Sequence, residues 1–61
     1  MYNINDQFFD ESNMRYITII GKSIEYYLCG VEEMDEEFNF TPVDDQLFTE
    51  IELSHFIQQE K

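Results

Sequence analysis

Between Lys22 and Lys61 the chain contains no lysine or arginine, while Glu25, Glu32, Glu33, Asp35, Glu36, Glu37, Asp44, Asp45, Glu50, Glu52 and Glu60 all fall there. No cation within that stretch can neutralise it, so its acids belong on solvated loops, edges and faces, because like charges set opposite one another destabilise a central strand. The rest of the chain offers little relief: 14 Asp and Glu face 3 Lys and Arg, for a formal net charge of -11. At 61 residues the chain makes a single domain, residues 1–61. A domain of that size buries only about 60% of its unfolded surface. With 43% hydrophobic and 16% aromatic residues it still has the material for a core and does not read as disordered.

Such a charge repels phosphate, which excludes direct binding to nucleic acid or to an anionic membrane and leaves basic proteins or cations as partners. A charge of roughly 2 to 8 suffices for the solubility of a small domain, so the excess points to a role beyond solubility. Cys29 is the only cysteine and cannot form an internal disulfide. A small secreted domain usually carries several, so a reducing cytoplasm is expected. Residues 1–6 have neither a basic start nor an apolar run like that of a signal peptide. The apolar stretches Ile17–Ile20 and Tyr26–Cys29 are far shorter than the roughly 20 residues of a membrane span.

Residues 1–13 mix polar residues with Tyr2, Ile4, Phe8 and Phe9 and read as a flexible or docking arm, suited to a second subunit. From Met14 a β-branched and aromatic run reaches Gly21; Gly21-Lys22-Ser23 supplies a turn, and Ile24 to Cys29 resumes the strand signal before Gly30. Together they predict a hairpin. Residues 31–37 read as an acidic loop or edge, and Glu37 to Thr41 alternates as a third, edge strand stopping before Pro42. For residues 44–57 the sequence favours a helix, with Asp44 as cap, Val43 and Phe48 as a hydrophobic staple, and Asp45 and Glu50 toward the positive end of its dipole. Leu53, Phe56 and Ile57 fall on the opposite side from Leu47, Phe48 and Ile51. The alternative is therefore a fourth strand ending near Leu53, then a short helix capped by Ser54. The expected fold is α+β, a three-stranded antiparallel meander with a C-terminal helix packed on it. Ten aromatics exceed what one small core hides, which favours a homodimer.

Catalytic signatures are lacking. Cys29 and the sole histidine, His55, lie on different predicted elements, and Ser54-His55 adjacency makes no triad. Read plainly, Cys29 is a small buried strand residue and His55 a surface one. The cluster Glu32, Glu33, Asp35, Glu36 and Glu37 suits a hard cation in donor type but not in spacing, since an EF-hand loop starting at Asp35 would need Gly where Phe40 stands. No Cys and His set matches zinc, and the two glycines form no phosphate cradle. No cofactor is expected.

What remains is the arrangement of acids. Carboxylates two apart on a strand lie about 6.6 Å apart, and those one helical turn apart rise about 5.4 Å, spacings resembling those of successive phosphates on a DNA strand. Rows of this kind can enter a basic DNA-binding groove by the same electrostatics that draw DNA there. The plainer reading is a solvated acidic face on an accessory protein. In size, acidity and absence of catalytic motifs, the chain resembles the class of phage-encoded DNA-mimic inhibitors, which includes proteins that block uracil-DNA glycosylase, the bacterial nucleoid protein HU, restriction enzymes or CRISPR nucleases. The resemblance implies a non-enzymatic inhibitor acting in the host cytoplasm on a basic nucleic-acid-binding protein. The expected contact residues are Glu32, Glu33, Asp35, Glu36, Glu37, Asp44, Asp45, Glu50 and Glu52, with Phe38, Phe40, Tyr26 or Tyr27 as apolar anchors.

Overall fold

Three antiparallel hairpins follow one another along the chain. The computed structural model describes residues 1–60. Strands β1 (Gln7–Asp10), β2 (Arg15–Lys22), β3 (Tyr27–Met34) and β4 (Phe40–Phe48) form a meander, a short helix α1 (Glu50–Ser54) follows, and β5 (Ile57–Gln59) returns to pair with β1. The sheet order is β4-β3-β2-β1-β5. Between β4 and β5 the chain therefore passes from one sheet edge to the other, and it does so over one face. Leu53 of α1 is buried in that face and Phe56 meets Phe48 edge-on at 5.8 Å. Tyr2 covers the same side, T-shaped on Phe8 at 4.9 Å. Beneath them Phe8, Ile17, Ile19, Tyr27, Cys29, Val31 and Phe48 complete the core.

This corrects the expected α+β meander. Strands hold 53% of the chain and the only helix among the described residues is five residues long. Residues 1–13 are not an arm, since they contain β1, and Phe8 pairs with Ile17 on one side and Gln58 on the other. The expected helix over 44–57 is instead the end of β4, one capped turn, and β5. A helix would have put Leu47 and Phe48 on one face. The ladder with β3 separates them, setting Phe48 opposite Tyr27 in the core and Leu47 opposite Leu28 outside, where it is 61% exposed. Asp44 caps nothing; it lies within β4. The cap is Thr49, whose hydroxyl accepts from the Glu52 N–H at 3.2 Å while the Glu52 carboxylate accepts from the Thr49 N–H at 2.8 Å. This reciprocal box fixes the helix start.

The remaining differences have local causes. Both glycines, read as strand ends, lie inside strands where the register shifts: between Ile19 and Gly21 on β2, and between Cys29 and Val31 on β3. A glycine inside a strand commonly marks such a bulge. The β2–β3 turn falls later, at residues 23–26, where the Ser23 N–H donates to the Tyr26 carbonyl at 2.8 Å. Pro42 does not stop β4, because an edge strand has a partner on one side only and can turn the missing N–H outward. The acids of β3 are tolerated because none faces another acid: Glu32 lies between Tyr16 and Pro42, and Glu33 between Arg15 and Thr41.

Candidate acidic interaction surface

The β3–β4 turn is built by Asp35. Its Oδ1 accepts from the N–H groups of Glu37 at 2.8 Å and Asn39 at 3.0 Å, while its carbonyl accepts from the Phe38 N–H at 3.1 Å. Phe38 takes φ 66, in the left-handed region, and is 80% exposed. A three-residue hairpin loop needs that conformation at its last position, where glycine is usual. The result is a tip on which an aromatic ring stands beside Glu36 and Glu37.

From this tip β4 runs along the sheet edge to α1, about 30 Å for nine residues. The predicted contact residues fall into three groups on that side: Glu32, Glu33 and Asp35 to Glu37 toward the tip, Asp44 and Asp45 midway, and Glu50 and Glu52 on α1. They form no evenly stepped row. Glu32 and Glu33 are adjacent and point to opposite faces, Asp44 and Asp45 are adjacent at the register shift, and Glu50 and Glu52 are two apart on a helix. Several are already engaged. Asp35 holds the turn, Glu52 the helix cap, and Glu50 accepts from the Tyr27 hydroxyl at 2.8 Å. Among the described residues, the side chains of Glu32, Glu33, Glu36, Glu37, Asp44 and Asp45 have no hydrogen-bond or ion-pair partner.

The base nearest this surface is consumed. Arg15 Nε donates to Asp10 Oδ2 at 2.8 Å, and its guanidinium lies over the rings of Phe48 at 5.5 Å and Phe56 at 5.9 Å. Burial acts to raise the Asp10 pKa, but hydrogen bonds from Asn13 and Arg15, with the Arg15 charge, outweigh it and hold that carboxyl below its ordinary value. Sequence reasoning did not single out this cluster. The pairing of Asp10 with Arg15 across the first hairpin is its only sequence trace.

Of the expected apolar anchors, Phe38 and Tyr26 are exposed, Tyr27 is in the core, and Phe40 leans on Tyr16 at 4.8 Å. Cys29 is buried, and desolvation pushes its thiol up to about 11, whereas His55 is exposed at the end of α1. Among the described residues no three His, Cys, Asp or Glu side chains converge as a metal set, and no helix is long and apolar enough to cross a membrane. The fold and surface thus define a small antiparallel β domain with an acidic hairpin edge. No family model, curated protein or solved structure matches the chain.

Proposed function

We propose that this protein is a non-enzymatic inhibitor that occupies the basic nucleic-acid-binding groove of a DNA-binding protein, in the manner of a DNA mimic, within the host cytoplasm. The observation that carries the reading is the unmatched charge of the β3–β4 edge: six carboxylates without partners among the described residues, beside an Arg15 already committed to Asp10. Charge of one sign along an edge of about 30 Å steers a basic partner and displaces the counter-ions its groove would otherwise exchange with phosphate. Phe38 adds an apolar contact at the tip, and a desolvated aromatic supplies binding energy that the acids around it do not. The acids act by position in three groups, not by copying phosphate spacing step by step.

The test is competition. Added protein should displace a labelled duplex from a basic target, with HU, uracil-DNA glycosylase and a CRISPR nuclease as the panel, and displacement should weaken as salt rises. Glu36→Lys with Glu37→Lys should weaken it further. A small acidic accessory module without charge mimicry would displace DNA from none of them. Displacement that ignores both salt and the double substitution would overturn the electrostatic mechanism.

A further inference from the structure

Among the described residues, none covers the second face of the sheet. Tyr2, α1 and Phe56 all pack on the core side, while the opposite side presents a row of touching rings, Phe9 to Tyr16 at 4.9 Å and Tyr16 to Phe40 at 4.8 Å. Ile20, Leu28 and Leu47, all exposed, lie on the same side beyond a row of Gln7, Thr18 and Gly30. An antiparallel sheet with one wet face alternates apolar and polar residues, whereas one covered on both sides reads as a nearly continuous apolar run. β2 comes close to the second way: Ile17 and Ile19 point into the core, and Tyr16 and Ile20 point out with Thr18 between them. Among the described residues, the acids of the strands on this side are Glu32 and Asp45, on β3 and β4.

We infer that this face is a dimer interface, covered by the same face of a second copy. α1 lies on the other face and the acidic tip borders only the Phe40 end of the ring row, so a basic partner would find few ion pairs across it; what fits is a flat, mainly apolar surface of equal extent. A two-fold axis through the ring row provides one, because an isologous contact requires only that the patch complement itself. Two sheets stacked about 10 Å apart would then enclose the rings as a second core layer. The size suits a reversible dimer. Strands about 4.8 Å apart and about 28 Å long give a face of roughly 500 Å². Two copies would bury about 1,000 Å² together, at the lower limit for a specific interface. The inference goes beyond the proposed inhibition and does not depend on it.

Salt separates this contact from any ionic one. Screening removes repulsion between two chains of charge -11 while leaving apolar contact intact, so dimerisation should tighten with salt, where binding to a basic protein weakens. Sedimentation equilibrium from micromolar to millimolar protein should show a monomer–dimer equilibrium that shifts toward dimer between about 50 and about 500 mM salt. Leu47→Asp, at an already exposed edge position, should raise the dissociation constant at least about tenfold. Ile51→Asp, on an apolar residue of α1 outside the face, should leave it unchanged, whereas Glu36→Lys with Glu37→Lys, which lessens the repulsion, should tighten it at low salt and have little effect at high salt. Far-UV circular dichroism checks that each variant folds. A monomer at every concentration and salt, or a dimer abolished by Ile51→Asp but not by Leu47→Asp, would overturn the inference.

Discussion

Separating Arg15 from Asp10 tests whether an acidic chain with few bases spends one of them on its own fold. The two side chains are 15% and 5% exposed, between the surface pairs worth about 0–1 kcal/mol and the deep ones whose breakage costs about 3–5 kcal/mol. The molecule is only 20 Å across two of its axes, so solvent screens the pair and about 2 kcal/mol is the expected cost of Asp10→Asn. Arg15→Met keeps an apolar chain over Phe48 and Phe56 but leaves the carboxylate without its counter-charge and with Asn13 as its remaining donor, at a similar cost. The double variant should lose less than the sum of the two, with a coupling of about 1–2 kcal/mol. Each single variant should lower Tm by about 8–16 °C, read by urea and thermal unfolding. The pH dependence has a definite sign. The folded Asp10 pKa is lowered from 3.8, so its contribution is fully present above that value and is lost as pH falls through the folded pKa. The stability difference between wild type and Asp10→Asn should therefore be level from neutral pH to about 4 and shrink below. A coupling under about 0.5 kcal/mol would refute the reasoning, because the pair would then behave as an ordinary surface contact.

Phe38→Gly should raise stability by about 0.5–1 kcal/mol, since it relieves a left-handed residue at some cost in chain entropy, whereas Phe38→Ala should not, because the Cβ remains. If Phe38 anchors a partner, that same glycine variant should bind it less tightly in a competition assay. Thr49→Ala should cost about 1 kcal/mol in urea unfolding by removing the helix cap. Cys29 should resist a thiol reagent in the folded protein at neutral pH and react promptly in denaturant, because burial both shields the thiol and raises its pKa to about 11.

The strand-forming run from Arg15 to Lys22 was legible because β-branched residues crowd there. Its ends were misplaced because Gly21 and Gly30 lie inside strands beside register shifts, Gly21 next to the extra residue Ile20 and Gly30 opposite the extra residue of β4, a use that punctuation rules do not separate from a turn. The tail misled for a different reason. Val43, Asp44 and Phe48 satisfy a helix-start pattern locally, but pairing Phe48 with Tyr27 buries more than a lone helix turn can. The true cap was written in Thr49-Glu50-Ile51-Glu52, a Thr with Glu three residues on. The acids of the candidate surface could be named from sequence. Which of them were free could not: Asp35, Glu50 and Glu52 are tied up by a backbone turn, a hydroxyl 23 residues away and a cap.

The pairing of β5 with β1 also sets the order in which this chain can fold. Phe8 is flanked by Ile17 and by Gln58, so the first strand of the sheet in chain order waits for the fifth. The three hairpins can form as they emerge, but their common sheet lacks one boundary until residues 57–59 are available. Closing so long a loop is slow relative to local pairing. Until β5 arrives, β1 therefore stays open on one side, and the last boundary of the sheet is set by a single long-range closure.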